Sequence, residues 1–350
     1  MLVNDLFGSP LPLIQAPMAG SQNHRLAAAV CEAGGLGSIP CAMLTPAALR
    51  QELEALRGLT QRPFNLNFFS HVQPEPDAAR EATWREALAP YYQEFGVDQA
   101  TIAGGPGRLP FNAEAAELVE EFRPAVVSFH FGLPDEALLQ RVRDSGARVL
   151  SSATTLAEAL WLQERGVDAV IAQGLEAGGH RGHFLDHDLS RQLGTFALLP
   201  QLVDALDVPV IATGGISDAR GVAAAMALGA AGVQVGSAYL LCPEASTSAL
   251  HRAALQSPAA QHTALTNLFS GRPARGIVNR LMREQGPLSP LAPTFPLATA
   301  AIAPLRAAAE ARGDSDFSPL WAGQNVANCR PMPAAELTRA LARGFESHRD

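Results

Sequence analysis

The stretch from residue 208 to residue 240 constrains the fold of this chain more than any other. Two short apolar runs, 208–212 and 233–235, each lead into a glycine-containing turn, and a run of small residues separates them. The pattern predicts a strand, a turn, a helix over residues 217–228, a second strand and a second turn. Parallel strands joined by a helix carry both turns at the carboxyl edge of one sheet. The stretch therefore predicts a parallel α/β fold.

The two turns, Gly214-Gly215 and Gly236-Ser237, have the composition of a phosphate-binding site. Glycine lets backbone N–H groups approach an anionic oxygen, and either Ser217 or Asp218 can cap a helix whose N-terminus favours negative charge. Paired turns of this kind hold phosphate at the last strands of (β/α)8 barrels. Two tight turns without a ligand are the alternative interpretation.

The remaining apolar runs repeat the strand and helix pattern about eight times in all. They predict an α/β fold of the (β/α)8 TIM-barrel type over residues 1–257, with a helical insertion at 70–122 after the third strand. Residues 258–350 are predicted to form a C-terminal helical extension over the active-site end. Within it, the stretch 267–283 contains the run Ser-Gly-Arg-Pro-Ala-Arg-Gly at 270–276, interpreted as either an anion-facing loop or a solvated turn. The proline-dense stretch 287–296 is interpreted as irregular.

Composition excludes several classes of function. The formal net charge of -8, without a basic run, argues against nucleic-acid binding. No apolar segment is long enough to cross a bilayer, and the first residues lack the pattern of a signal peptide. Four scattered cysteines favour neither a disulfide framework nor a zinc site, so a reducing cytoplasm is expected.

The chain contains no lysine, and every basic side chain apart from histidine is arginine. Schiff-base aldolases, pyridoxal phosphate enzymes, Walker-A nucleotide sites and lysine general bases all need an ε-amine. Those classes are excluded.

Barrel active sites lie at the carboxyl ends of the strands. That rule selects Met18, Asn67, His130, Gln173 and the two glycine turns. After the sixth strand, Gly178 and Gly179 precede His180, which is a candidate general base because imidazole titrates near neutrality. A buried histidine without a chemical role is the alternative.

Three other residues near the predicted site are given weaker roles. His183 is interpreted as a solvated loop residue. A metal site of His180, His183 and His187 lacks a fourth ligand, so no metal is expected. Cys41 as a nucleophile lacks a basic partner.

An ordered set of motifs then resembles one family over nearly the whole chain. The motifs are Gln15-Ala-Pro-Met-Ala-Gly20, Phe64-Asn-Leu-Asn67, Ser128-Phe-His130-Phe-Gly132, Ala172-Gln-Gly-Leu-Glu-Ala-Gly-Gly-His180-Arg-Gly182, Gly214-Gly215, Gln234-Val-Gly-Ser237 and Leu320-Trp-Ala-Gly-Gln324. Together they resemble the nitronate monooxygenases, formerly called 2-nitropropane dioxygenases.

The resemblance implies an FMN-binding TIM barrel that oxidises alkyl nitronates, such as propionate 3-nitronate, with O2 to a carbonyl product and nitrite. It implies a flavoprotein, which we expect to be a cytoplasmic monomer or homodimer with a role in either detoxification or nutrition. His180, with His130, is then the candidate catalytic histidine. The candidate FMN contacts are Met18, Ala19, Gly20, Asn67, Gln173, Gly178, Gly179, Gly214, Gly215, Gln234, Val235, Gly236, Ser237, Trp321 and Gln324.

Two alternatives stay open. Trp321 either shields the flavin or packs in an ordinary core. The same flavin barrel also serves FMN-dependent NAD(P)H:quinone reductases and enoyl-thioester reductases. Better-known members of the resembled family carry tyrosines around the substrate, whereas this chain has only Tyr91, Tyr92 and Tyr239.

Overall fold

The computed structural model describes residues 2–102, 104 and 107–346, in which strands and helices alternate along most of the chain. The strands are β1 (Leu13–Gln15), β2 (Gly37–Pro40), β3 (Phe64–Phe69), β4 (Val126–His130), β5 (Arg148–Ala153), β6 (Ala169–Gln173), β7 (Gly179–His180), β8 (Val210–Thr213), β9 (Gly232–Val235), β10 (Thr263–Thr266) and β11 (Ala274–Ile277). The helices are α1 (Val3–Phe7), α2 (His24–Glu32), α3 (Pro46–Leu59), α4 (Ala78–Phe95), α5 (Ala113–Phe122), α6 (Glu136–Asp144), α7 (Leu156–Glu164), α8 (Thr195–Ala205), α9 (Ala219–Ala227), α10 (Ala249–Leu255), α11 (Arg280–Gln285), α12 (Thr299–Ala311) and α13 (Ala334–Glu346). Short 3-10 turns cover Gln99–Thr101, Leu189–Arg191, Ser237–Leu241, Pro258–Gln261 and Val326–Asn328.

Eight parallel strands form the barrel, in the order β1, β9, β8, β6, β5, β4, β3, β2. A parallel bridge joins Ile14 of β1 to Leu36, the residue before β2. The two strands at the ends of this order therefore meet, and the ring closes. The predicted (β/α)8 TIM barrel is therefore confirmed. No helix in the described part of the chain has the length and hydropathy needed to cross a membrane.

The stretch around the two glycine turns folds as its pattern predicts, as β8, α9 and β9. Helix α9 begins at Ala219, two residues later than predicted. The Asp218 carboxylate caps it by accepting hydrogen bonds from the backbone N–H groups of Arg220 and Gly221, at 3.0 and 3.1 Å. Because Asp218 caps the helix, the hydroxyl of Ser217 is left free for another partner.

The amino-terminal end of the barrel is closed by α1. Val3 and Phe7 pack into a buried cluster with Ile14, Leu150 and Ile211 from the barrel strands. Since this end is filled by apolar side chains, access to the barrel lies at its carboxyl end.

Segments far apart in sequence share a second hydrophobic core outside the barrel. Helix α4 of the insertion packs against α12 of the C-terminal segment. The buried members of this core include Trp84, Tyr92, Leu268, Leu305 and Phe317. The two segments therefore stabilise each other.

Other helices of the predicted insertion and extension belong to the barrel wall. Helix α5 packs beside α3 and α6, and α13 packs against α9 and α2. The domain boundaries given by the sequence remain a prediction, and residues 103, 105 and 106 of the insertion lie outside the described residues.

The C-terminal segment also contributes strands, where the sequence pattern favoured a loop. β10 and β11 pair antiparallel, and β11 pairs with β7, so that Ala274 lies opposite His180. All four residues of β11 are buried. The expectation of a loop over 270–276 is therefore wrong for residues 274–276, because β11 pairs with β10, which shortly precedes it, and with β7, which is distant in sequence. The stretch 287–296 contains no helix or strand, as predicted.

Candidate active site

A large cleft opens at the carboxyl end of the barrel, with about 1400 Å³ of space including its mouth to solvent. It brings together all but three of the residues selected from the sequence. Those on its wall are Met18, Ala19, Asn67, His130, Gln173, Gly178, Gly179, His180, Gly214, Gly215, Gln234, Gly236, Ser237 and Trp321.

Gly20, Val235 and Gln324 do not line the cleft. Gly20 is exposed in a tight turn with φ +81°. Val235 is buried in the hydrophobic core because side chains alternate along β9, which leaves Gln234 and Gly236 on the cleft side. Gln324 has an exposed side chain, and its backbone N–H donates to the carbonyl oxygen of Glu176 at 2.9 Å.

The glycine turns form a cradle that larger residues would fill. Gly214 and Gly215 have φ of +118° and +73°, a region that L side chains rarely adopt. A Cβ atom on Gly214 would come within 2.7 Å of Thr195 Oγ1. Beside them, Ser217 Oγ and Gln234 Oε1 are buried without a hydrogen-bond partner among the described residues. Buried polar atoms of this kind need a partner, and a phosphorylated cofactor with a polar ring edge supplies one.

The segment that follows Trp321 closes over the cradle. Gly323 N–H donates to Ser237 Oγ at 2.9 Å, and Asn325 Nδ2 donates to the carbonyl oxygen of Gly215 at 2.7 Å. A Cβ on Gly178 would lie 2.6 Å from the carbonyl carbon of Ala322. The C-terminal segment is therefore part of the site.

His180 lies at the other end of the cleft, among aromatic rings. Its ring centroid is 5.4 Å from that of Phe295, 5.6 Å from that of Trp321 and 6.1 Å from that of Phe69. Its Nε2 is 2.8 Å from Ser270 Oγ. Burial, and then the positive charge of Arg108, lower the pKa of His180 well below its ordinary value. The expectation that it titrates near neutrality is therefore wrong, and the ring is neutral at physiological pH.

His130 has both ring nitrogens engaged. Its Nε2 donates to the backbone carbonyl oxygen of His180 at 3.0 Å, and its Nδ1 accepts from Ser152 Oγ at 2.5 Å. Burial lowers the pKa of His130 to about 3, which keeps this neutral tautomer. The Gln173 amide holds the same loop, donating to the His180 carbonyl at 2.9 Å and accepting from Gly182 N–H at 2.7 Å. Both side chains position the His180 backbone.

His183 is buried rather than solvated, which corrects its sequence-based interpretation. Only 1% of it is exposed, and burial lowers its pKa to about 3. The chain folds back over it, and its carbonyl oxygen accepts a hydrogen bond from Arg272. In the described ranges, no group of three or more His, Cys, Asp or Glu residues is arranged to hold a metal ion. Cys41 is buried, and burial raises the pKa of its thiol, so it lacks the thiolate character of a nucleophile.

Several residues of the site could not be selected from the sequence. Glu158 is fully buried, and its carboxylate accepts from Thr154 N–H at 2.7 Å and from Phe184 N–H at 2.6 Å. It therefore anchors the loop that follows His180. Arg181 is also fully buried and donates to the carbonyl oxygens of Gln173 and Gly174. The sequence signal for Arg181 is limited to its position next to His180 in the motif.

The cleft wall contains further residues that no motif indicated. Arg108 and Phe69 line the His180 end, and Glu176 and Asn325 line the end with the glycine turns. Arg108 comes from the insertion, far from any strand end. Their positions depend on tertiary packing.

Fold and cleft define a (β/α)8-barrel enzyme with a phosphate-type cradle at one end of its site and a neutral histidine at the other. Comparison with known proteins identifies its family. The family model described as nitronate monooxygenase matches residues 2–344. The nitronate monooxygenase of Pseudomonas aeruginosa is 45% identical over 96% of both chains, and that of Paraburkholderia phytofirmans is 44% identical over 97% of this chain and 93% of the other.

Solved structures share the fold of this chain. A nitroalkane oxidase from Streptomyces ansochromogenes superposes with a TM-score of 0.90 at 40% identity, covering 99% of this chain and 98% of the other. FabK from Thermotoga maritima gives a TM-score of 0.72 at 25% identity, covering 99% and 96%. The chain belongs to the nitronate monooxygenase family.

Proposed function

We propose that the protein uses FMN to oxidise alkyl nitronates, including propionate 3-nitronate, with O2 to a carbonyl product and nitrite. Membership of the family supports the reaction class. One observation carries the proposal. The same cleft contains, at one end, a glycine cradle with unpaired polar atoms and, at the other, a neutral histidine surrounded by aromatic rings.

The residues present fit FMN. Its phosphate would lie against Gly215, Ser217 and the Gly236-Ser237 turn, where backbone N–H groups and the unpaired Ser217 hydroxyl can donate to an anion. The polar ring edge would meet Gln234, whose Oε1 is free, and Asn67, which donates to Ser128 Oγ at 3.0 Å. When bound, the flavin accepts electrons from the nitronate and passes them to O2.

The side chains at the His180 end bind and orient the substrate. In a neutral imidazole one nitrogen carries a proton and the other does not. The nitrogen that faces the substrate can therefore donate to the nitronate in one tautomer, or accept the α-proton of a neutral nitroalkane in the other. The rings of Phe69, Phe295 and Trp321 exclude water around it. Hydrogen bonds from His130 and Gln173 keep the His180 backbone in place.

The test is anaerobic mixing of the purified yellow protein with propionate 3-nitronate and, separately, with NADH or NADPH. Loss of flavin absorbance with the nitronate, and none with NAD(P)H, is the expected result. Fast bleaching by NAD(P)H without any response to nitronate would overturn the proposal. It would instead favour the reductase alternative, for which the similarity to FabK is the structural support.

The proposed cellular location rests on the state of the cysteines. All four cysteines are buried and free, as expected in a reducing cytoplasm. Removal of toxic nitronates in that compartment is the role we propose, and fractionation of cells that express the tagged protein tests its location.

A further inference from the structure

Arg108 is a cationic side chain on the cleft wall, and part of its guanidinium has no hydrogen-bond partner among the described residues. It lies in the insertion between β3 and α5, and its Nη1 is buried without a hydrogen-bond partner in the described part of the chain. Its guanidinium carbon is 5.7 Å from the centroid of the Phe295 ring. Burial, reinforced by the charge of Arg306, lowers the pKa of Arg108, and no carboxylate opposes this shift. Arg108 as a whole is half-buried, and a guanidinium nitrogen that is shielded from water without an acceptor is costly, so an anionic group of a ligand would stabilise it here.

The side chains around Arg108 are mostly cationic, and the buried carboxylate of Glu158 faces Arg272 and the loop after His180. Arg272 lies behind the same end of the cleft, with its guanidinium carbon 4.0 Å from the centroid of the Phe131 ring. The only acidic residue on the described wall of the cleft is Glu176. Its carboxylate is at the glycine turns and accepts hydrogen bonds from the N–H and hydroxyl of Thr195, at 2.8 and 2.9 Å. The His180 end therefore has an excess of positive charge.

Because the carboxylate of Glu158 opposes the charge of Arg272, Arg108 is the cation on the described wall at this end that has no carboxylate against it. A nitronate held at His180 supplies one negative charge there, close to the ring of Phe295. Arg108 lies against the same ring. Because the His180 ring and the Arg108 guanidinium lie 5.4 and 5.7 Å from the centroid of one ring, a nitronate at His180 with a short aliphatic chain would direct its far end towards Arg108. A carboxylate at that end would match the two-pronged donor geometry of arginine.

We propose that Arg108 is the residue that makes this enzyme prefer nitronates with a carboxylate at the far end of a short chain. The assignment rests on the proposed oxidation of nitronates. It adds the side chain that discriminates between carboxylated and uncharged nitronates.

The test compares propionate 3-nitronate with the nitronate of methyl 3-nitropropanoate, which has the same chain but no second charge. The measured quantity is the ratio of their kcat/KM values, from initial rates of O2 consumption. Losing a hydrogen bond between charged groups costs about 10- to 100-fold, so Arg108→Met is expected to lower the ratio by about that factor. Arg108→Lys keeps the charge without the planar fork and is expected to lower it by less.

A matched control comes from the same insertion. Arg80 is exposed and donates to the carbonyl oxygen of Pro290, away from the cleft. Arg80→Met is expected to keep the wild-type ratio. Bound flavin, measured by absorbance, and the melting temperature report whether each variant is folded.

A binding measurement tests the assignment of Arg108 without relying on catalytic turnover. Calorimetry with 3-nitropropionate and with its methyl ester gives two dissociation constants for each variant. Arg108→Met is expected to weaken the acid about 10- to 100-fold more than the ester. Equal effects on acid and ester in both assays, or no effect in a folded variant, would overturn the assignment of Arg108.

The experiment distinguishes failure of the proposed function from failure of the role assigned to Arg108. If the wild type oxidises neither nitronate, the proposed function is wrong, whatever the variants do. If it oxidises both and the ratio does not respond to Arg108→Met, the function stands and the specificity role of Arg108 is wrong.

Discussion

Ser270 Oγ lies 2.8 Å from His180 Nε2, across 90 positions of the sequence. Ser270 is buried, and its hydroxyl is also 3.4 Å from the carbonyl oxygen of Arg272. The adjoining strand β11 pairs with β7, which ends at His180. The C-terminal segment therefore fixes both the backbone and the ring of the candidate catalytic residue. Ser270 is a positioning residue in this arrangement.

Replacing Ser270 by Ala is expected to lower kcat about 3- to 10-fold, because the imidazole loses one hydrogen bond worth about 0.5 to 1.5 kcal/mol. KM should change less, since the ring remains in the cleft. Steady-state O2 consumption gives both constants.

The control is Ser318→Ala, which removes another buried hydroxyl, 2.6 Å from Glu310 Oε1 and not on the cleft wall. It should lower the melting temperature and leave kcat as it is. If Ser270→Ala loses only stability as well, Ser270 has no role in positioning His180.

Replacing His180 by Asn should affect neutral nitroalkanes more than preformed nitronates. A neutral nitroalkane must first lose its α-proton, and a positioned general base contributes about 100- to 10000-fold to such a step. A nitronate has already lost that proton, so only its orientation suffers. Parallel rates with nitroethane and ethyl nitronate measure the difference, with flavin content checked by absorbance.

His262→Asn, at an exposed position, is the control and should retain both rates. Equal losses for the two substrates with His180→Asn would assign His180 to binding alone.

The glycine turns and the barrel could be predicted from the sequence because their signals are local. Strand, glycine turn and helix follow one another within a few residues, and one rule about barrel strands then selects the site. The sequence also predicts that side chains alternate between the two faces of β9. The motif nevertheless includes Val235 among the flavin contacts, and its side chain lies in the core. Motif membership does not say which face of a strand a residue occupies.

The other features depend on contacts between distant segments. The pairing of Ala274 with His180 arises from an antiparallel register that no single stretch encodes. The burial of His183, and with it the low pKa, comes from the chain folding back over a loop that looks polar. Arg108 reaches the cleft only because α4 packs on α12 and carries the insertion over the barrel mouth.

Gly215→Ala is expected to reduce flavin occupancy and stability together. Its φ of +73° costs an L residue roughly 1 to 2 kcal/mol, and an added Cβ would lie 3.4 Å from the Cβ of Glu176. Strain in the turn would be relieved by moving the backbone N–H groups that we propose hold the phosphate. Titration of the apoprotein with FMN, followed by flavin fluorescence, gives the affinity.

Gly313 offers a matched control, with φ of +76° and open space around its missing Cβ. Gly313→Ala should lose similar stability with FMN affinity intact. If both variants bind FMN equally well, the cradle at Gly215 does not hold the phosphate.

Acid should destabilise the protein well before its carboxylates titrate. Burial lowers the pKa of His130 and His183 to about 3 and that of His251 to about 4, from an ordinary value of 6.5. Below pH 6.5 the unfolded chain takes up protons on these rings and the folded chain does not, so stability falls as the pH falls. Each buried ring contributes about 1.4 kcal/mol per pH unit in that range. Melting temperatures measured from pH 7.5 to pH 4.5 should decline steeply below pH 6.5.

His251→Gln removes one of these rings outside the cleft, where its Nε2 is buried without a partner among the described residues. The slope of the free energy of unfolding against pH should become shallower by about 1.4 kcal/mol per unit between pH 6 and pH 4.5. Urea titrations at each pH measure that slope directly. An unchanged slope would mean that the folded protein protonates His251 as readily as the unfolded chain does, and that its burial does not keep it neutral.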